Sequence, residues 1–249
     1  MNIITDQIGN FQPYYQDADC VIYNADCRQV LPLLGPNEPT FDALITDPPY
    51  GIIGKFGHSD LYGSRSMQFE FDQPVDVIDI VCEAIGLASS LSNSIHVFCD
   101  PDHYGRIAAV VRKIGHTVKP WARLKKCPPP PMPGNWWPSA FELSMYGYKS
   151  GAFFGDCSGK RKNTYECDSY RHGIRKHEKV DHPTQKWLPM ICYLVTTLVP
   201  ESGFVLDPFM GSGTTLVAAK LEGRRSVGIE INEKYCEIAA KRLEQGVLF

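Results

Sequence analysis

No apolar run in this chain of 249 residues reaches the ~18 that a membrane-spanning helix needs. Residues 1–10 carry neither a basic start nor an apolar stretch, so no signal peptide is indicated and a cytoplasmic location is the default expectation. No Cys-x-x-Cys pair occurs among the nine cysteines, and their odd number speaks for reduced thiols rather than a disulfide framework. Cys157, Cys167, His172 and His177 lie close together, but at spacings that match no zinc module, and no metal is expected. Internal repeats are lacking. So is a large charge excess: the net charge is −3, which by itself points to no partner.

What is present is a conventional globular composition with an uneven spread of charge. Apolar residues make up 43% and charged residues 21%, enough for one large α/β domain with a proper core. Residues 112–131 hold six basic side chains and no acid, Lys125 and Lys126 among them. Residues 160–179 hold seven bases, including Lys160, Arg161, Lys162, Arg171 and Arg175, against three acids. Such asymmetry focuses positive potential on part of the surface, as phosphate binding requires, although each tract alone also fits a solvated loop.

Apolar patterning predicts strands at 20–24, 41–46, 94–99, 118–126, 141–148, 204–206 and 226–229. Helices are expected at 27–34, with Asp26 as N-cap, and at 76–91, 103–114, 186–199, 214–221 and 233–243. Residues 51–73 have no period and read as a functional loop carrying Lys55 and Arg65. A proline-rich stretch, 127–138, reads as a stiff connector, and residues 152–181 as a short basic insert. The expected architecture is a doubly wound, mostly parallel α/β sheet over residues 1–249, interrupted by that insert.

Two stretches carry chemistry. Asp47-Pro48-Pro49-Tyr50 follows the strand 41–46 and so sits on a strand's C-terminal lip, where open α/β sheets bind ligands. The prolines stiffen the turn, presenting a carboxylate and an aromatic ring to a cleft. The similar Asp100-Pro101 also follows a strand but lacks the rest of the pattern and reads as a plain turn. The second stretch, residues 207–215, holds Gly211 and Gly213 and then opens a helix. It has no Gly-Lys-Ser/Thr, as a phosphate loop requires, and Leu216 stands where a dinucleotide fingerprint needs a third glycine. Asp207 would instead favour a cationic ligand, and Glu230, ~20 residues past the glycines, is placed to accept ribose hydroxyls.

Asp47-Pro48-Pro49-Tyr50 resembles the catalytic signature of S-adenosylmethionine-dependent DNA amino-methyltransferases, and the remaining motifs resemble theirs too. His182-Pro183-Thr184-Gln185-Lys186 is similar to the segment that meets the cofactor's methionine end. Residues 207–215, with Asp207, Phe209, Gly211, Gly213 and Thr214, are similar to the main cofactor loop. Glu230 and Asp26 match the ribose and adenine contacts. The motif order resembles the circularly permuted β-group with a class I methyltransferase sheet. Trp187 departs from the family's proline, and the region matching a target recognition domain shrinks to 152–181, which implies low or short-site selectivity.

The resemblance implies methyl transfer to the N6 of a flipped adenine in DNA, because Asp at the first motif position accompanies adenine and Ser cytosine. In that reading Asp47 and the Pro48 carbonyl accept the amine's hydrogens and Tyr50 stacks on the base. N4-cytosine stays open as the alternative acceptor. RNA or a protein amide is a further alternative, against which Asp47 speaks, and a nicotinamide-dependent oxidoreductase is the rival from another class. DNA is the expected partner, a homodimer is left open, and the C-terminal Gln245-Gly246-Val247-Leu248-Phe249 resembles a sliding-clamp peptide that equally fits a tail folded on the domain.

Overall fold

The computed structural model describes residues 7–35, 40–49, 77–125, 141–155, 163–167 and 186–245, with Lys125 and Cys167 described by backbone alone. Tyr50, Thr184, Gln185, Lys126, Lys160, Arg161, Lys162, Arg171 and Arg175 lie outside these residues, as do the 51–73 loop, the proline connector and the tail 246–249.

Nine strands are described: β1 (Tyr15–Gln16), β2 (Cys20–Asn24), β3 (Phe41–Thr46), β4 (Ser92–Phe98), β5 (Thr117–Lys125), β6 (Phe141–Tyr148), β7 (Thr164–Cys167), β8 (Phe204–Asp207) and β9 (Arg225–Glu230). They form one sheet in the order β1-β2-β9-β8-β3-β4-β6-β5-β7. The central run from β2 to β4 is parallel throughout. β6 is antiparallel to both β4 and β5, so β5 and its parallel neighbour β7 point the same way as β3. The helices are α1 (Cys27–Val30), α2 (Val77–Ser90), α3 (Pro101–Lys113), α4 (Leu188–Leu198), α5 (Thr214–Leu221) and α6 (Glu233–Glu244), with a 3-10 turn at Leu31–Leu33 after α1.

Side-chain alternation along the strands sends each residue to one of two cores. Leu44, Ile95 and Val97 face α1, α2 and α3. Ala43, Ile45 and Val205 face α4 and α5 on the other side, where Ile22 joins α5 and α6. Both faces are therefore covered, as a largely parallel sheet requires. Among the described residues no helix is long and apolar enough to cross a membrane.

The expected elements are found with small shifts at their ends. Asp100 is the N-cap of α3, accepting the Asp102 N–H, and Pro101 occupies the first turn, so the second Asp-Pro is a helix start. The helix expected from 186 begins at Leu188, because Trp187 is extended (φ −73°, ψ 116°) and Pro189 fits only the first turn. Two strands were not expected. β1 has only two residues, and β7 lies in the basic stretch 152–181, where Tyr165 packs against Trp121, Trp187 and Tyr193. Pairing with β5 and this aromatic cluster hold β7, and neither is visible in four polar-flanked residues.

Candidate active site

The sheet reverses its winding at one place. β3 continues outward to β4 and β8 continues outward to β9 in the opposite direction, so a crevice opens over the C-terminal ends of the adjacent β3 and β8. Asp47 follows β3 and Asp207 ends β8. The two ends are stitched by Thr46 Oγ1, which donates to Asp207 Oδ1 at 2.7 Å.

Asp207 is only 3% exposed. Burial pushes its carboxyl up to about 7, against the hydrogen bonds from Thr215, Thr46 and the Phe209 N–H, and the negative charge of Asp47 adds to the rise. A cation bound above it would return it to the carboxylate form. From Asp207 the chain turns through Gly211 (φ 50°) and Gly213 (φ 77°), both left-handed. A Cβ at Gly213 would stand 2.7 Å from that of Ala239, so α6 also closes off the space behind the loop. Phe209 is partly buried, Thr214 is buried in the first turn of α5, and Arg242 of α6 holds Thr214 Oγ1 at 3.2 Å from behind.

Glu230 closes the other side of this cradle. Its Oε2 accepts the Gly211 N–H at 3.0 Å and its Oε1 the Asn232 N–H at 2.9 Å, while burial raises its pKa over these bonds. Asn24 Nδ2 donates to the carbonyls of Glu230 and Ile231 at 2.9 and 3.0 Å, tying the end of β2 to the end of β9. Asp26, one turn on, caps α1, and Arg28 clasps it with Nη2 at 2.6 Å, which holds its carboxyl below the usual range.

The cradle thus offers two acids and a close backbone approach, with no lysine or arginine within residues 207–215. That donor set suits a molecule with a sulfonium, an ammonium and a ribose diol, and it disfavours a phosphate. S-adenosylmethionine fits it.

On the β3 side, Pro48 is buried and Pro49 half-buried, so the turn after Asp47 is fixed. The Asp47 side chain is 21% exposed and pairs through Oδ2 with Lys186 Nζ at 3.0 Å. Lys186 pairs at 2.5 Å with Glu142 Oε1, and Glu142 Oε2 accepts from Arg123 Nη1 at 3.2 Å. Burial opposes the charge on Lys186, but Asp47 and Glu142 outweigh it and raise its pKa. Beneath the lysine lie Phe98, whose ring centroid is 4.6 Å from Nζ, and His96, whose ring meets Phe98 and Trp121 edge-on. Burial and the Lys186 charge push His96 down to about 3, so this ring is neutral.

Cys99, just after β4, is pushed up to about 12 by burial and by the charges of Asp100 and Asp47. Cys20, Cys27, Cys192 and Cys236 are raised likewise, so none of these cysteines is a ready thiolate nucleophile. Among the described residues no group of three His, Cys, Asp or Glu could hold a metal.

Of the residues singled out in the sequence, Asp26, Asp47, Pro48, Lys186, Asp207, Gly211, Gly213 and Glu230 come to this one edge. Lys186 lies against Asp47. Glu142 was not anticipated, and Arg123 only as one of the six basic side chains of 112–131, since an acid and a base on separate strands carry no motif; the signal for their pairing is only that each is a charge within an expected strand.

The family profile described as DNA methylase, for N6 and N4 amino-methyltransferases, matches residues 41–241. Type II methyltransferase M2.LlaDCHI of Lactococcus lactis subsp. cremoris is 25% identical over 96% of this chain and 94% of its own length. Type II methyltransferase M.ScaI of Streptomyces caespitosus is 48% identical, over 27% of this chain and 22% of that enzyme, so the chain spans less than a quarter of that relative's length. Among solved structures, M1.HpyAVI in complex with S-adenosylmethionine superposes with a TM-score of 0.67 at 27% identity, covering 90% of this chain and 98% of that one. The cytosine-N4-specific PvuII DNA methyltransferase reaches a TM-score of 0.71 over 96% of this chain and 92% of its own, at 15% identity, which is a likeness of fold. A profile spanning most of the chain, on the sheet and cradle described above, places the chain in the DNA methylase family of amino-methyltransferases, with S-adenosylmethionine as its cofactor.

Proposed function

We propose that this protein methylates the N6 amino group of adenine in DNA. The observation that carries the reading is the placement of Asp47 and Asp207 at the C-terminal ends of the adjacent parallel strands β3 and β8, which Thr46 Oγ1 ties together by donating to Asp207 Oδ1 at 2.7 Å. One acid lies in the cradle that suits the cofactor; the other stands at the open lip where a base amine would enter.

S-adenosylmethionine, when bound, supplies an electrophilic methyl group on a sulfonium. The chain's own residues do the rest. Asp207, Gly211, Gly213 and Glu230 hold the cofactor, with Asp26 at its adenine end and Phe209 and Thr214 completing the loop; Thr184 and Gln185 belong to the same assignment. Asp47 and the Pro48 carbonyl accept the two amine hydrogens, which localises on nitrogen a lone pair otherwise delocalised into the ring. The base is turned out of the duplex to reach them, and Tyr50 stacks on it. Positioning and electrostatics then suffice for a direct transfer, without a covalent enzyme intermediate. Lys125, Lys126, Lys160, Arg161, Lys162, Arg171 and Arg175 meet the phosphates.

Adenine is favoured over cytosine by Asp, rather than Ser, at position 47. Cytosine N4 presents the same amine beside a ring acceptor and is the second reading. The test supplies labelled S-adenosylmethionine with mixed-sequence DNA, digests the DNA and identifies the labelled nucleoside. N6-methyladenine is expected. N4-methylcytosine would move the protein to the second reading, and DNA left unlabelled would overturn both.

A further inference from the structure

We infer that Lys186 is a positioning residue for the Asp47 carboxylate, and that Glu142 neutralises this lysine so that the orienting cation does not cancel the field Asp47 presents to the amine. The inference rests on the proposed role of Asp47.

The geometry spans four strands at the catalytic edge. Asp47 leaves β3, and Phe98 ends the next strand, β4. Lys186, just before α4, lies over the Phe98 ring at 4.6 Å and joins Asp47 on one side to Glu142 of β6 on the other. Glu142 stands opposite Arg123 of β5 in the strand register and accepts its guanidinium at 3.2 Å. The Lys186 side chain is 12% exposed and that of Arg123 14%, so little water screens the pairs. The sequence resemblance places Lys186 at the cofactor's methionine end, whereas its ammonium lies 3.0 Å from the carboxylate assigned to the base.

An acceptor for an amine hydrogen must be both anionic and aimed. A carboxylate in a turn is free to rotate about its side-chain bonds, and an ion pair at Oδ2 removes that freedom. A lone buried cation beside Asp47 would oppose the positive charge that grows on the amine as the methyl arrives. Glu142 offsets it, and Arg123 fixes Glu142 by its other oxygen. Lys186 thus orients Asp47 from the Phe98 face while Glu142 offsets the lysine charge next to it, with Arg123 on the far side of Glu142. Among the described residues, Lys186 pairs directly with Asp47, Asp207 lies across the crevice from it, Glu142 and Arg123 reach it through the lysine, and His96 and Cys99 stay neutral.

The test uses the full chain as Lys186→Met, Lys186→Arg, Glu142→Gln, the Met/Gln double variant and Asp47→Ala. Cofactor Kd is read by calorimetry, and kcat, KM for DNA and the pH profile by methyl transfer. Lys186→Met should lower kcat by ~10²-fold, the scale of a misplaced catalytic group, with cofactor Kd unchanged. Its acid limb should move to higher pH, because Asp47 loses a neighbouring cation and faces Glu142 instead. Lys186→Arg should recover part of kcat. Glu142→Gln should lower kcat by ~10-fold, about one hydrogen-bond-scale step in the barrier, and leave the acid limb in place or move it to lower pH. The double variant should be no worse than Lys186→Met alone, since the like-charge contact is gone. A Lys186→Met enzyme with normal kcat, or with lost cofactor binding, overturns the inference while an inactive Asp47→Ala leaves the function reading standing. Normal turnover by Asp47→Ala overturns that reading itself. Should Lys186→Met fail to fold, the nearly isosteric Glu142→Gln decides, and an unchanged kcat there is equally fatal.

Discussion

Around Glu230 the ligand face is made of backbone, whereas around Asp47 it is made of side-chain charge. The Glu230 carboxylate accepts backbone N–H groups, those of Gly211 and Asn232 among them, and the glycines between β8 and α5 allow the main chain itself to come close. Asp47 is held instead by a lysine from before α4, which is held by a glutamate from β6, which is held by an arginine from β5. A backbone cradle is built by neighbours in sequence and tolerates no side chain. A charge relay is built by strangers in sequence and tolerates no missing partner. The first should fail through sterics, and the second through electrostatics.

The largest effect should come from the steric side. At Gly213 a valine would need a left-handed backbone, costing ~1–3 kcal/mol, and its Cβ would collide with Ala239 at 2.7 Å. Gly213→Val should therefore weaken cofactor binding by more than ~10²-fold, since a loop displaced by about an ångström loses its aim, and should lower the melting temperature. DNA binding in the absence of cofactor should be unchanged. Loss of both together would mean that the two sides of the crevice are not separable.

The next effect concerns the one acid that belongs to both sides. Asp207 has a folded pKa of about 7 against an ordinary 3.8, so between these values the folded protein keeps a proton that the unfolded chain has released. Stability of the cofactor-free protein should fall as pH rises through that window. Cofactor affinity should move the other way, falling as pH drops below about 7, because the cation needs the carboxylate. Asp207→Asn keeps an oxygen for Thr46 and Phe209, so it should melt higher than the parent at pH 8 while binding cofactor ~10-fold more weakly, the loss of one charge-assisted contact. Its affinity should be nearly flat with pH. A slope that persisted would shift the titration to Glu230, whose pKa is raised as well.

This contrast also explains what could be read from the sequence. The cradle was legible because Asp207, Gly211, Gly213 and Glu230 follow one another along a strand, a turn and the next strand. β3 and its lip were legible from six apolar-rich residues ending at two prolines. The partners of Asp47 were not, because Lys186, Glu142 and Arg123 meet only once the sheet is in its final order. β7 was hidden for the same reason, since Tyr165 finds Trp121 and Trp187 only after β5 and α4 are in place. Trp187, a departure from the family's proline, gains a physical reason there: its φ of −73° would admit proline, but its ring packs on Tyr165. The described residues of the basic tract 112–131 divide between two places. Arg112 and Lys113 end α3, at the edge away from the crevice, whereas Arg123 pairs with Glu142 and Lys125 ends β5 on the side that carries Asp47.

The smallest effect should separate two parts of the other basic tract. β7 runs parallel to β5, pairing Ala122 with Thr164 and Lys125 with Cys167, so the chain leaves β7 at the edge that carries Asp47. Lys160, Arg161 and Lys162 come before β7, while Arg171 and Arg175 come after it. If the tract meets phosphates as proposed, the residues after β7, which continue from the edge that carries Asp47, are expected to contribute more than those before it. Each contact on B-DNA contributes about −0.9 to the slope of log affinity against log salt. Arg171→Ala/Arg175→Ala should flatten that slope by roughly 1.8 and weaken binding several-fold at moderate salt, with cofactor Kd unmoved. The triple alanine variant at 160–162 should flatten it less per residue removed. Equal flattening per residue would mean that the tract acts as a diffuse charge with no orientation from β7. An unchanged slope in both would return it to a solvated loop and leave DNA attraction to the end of β5 and the residues that follow.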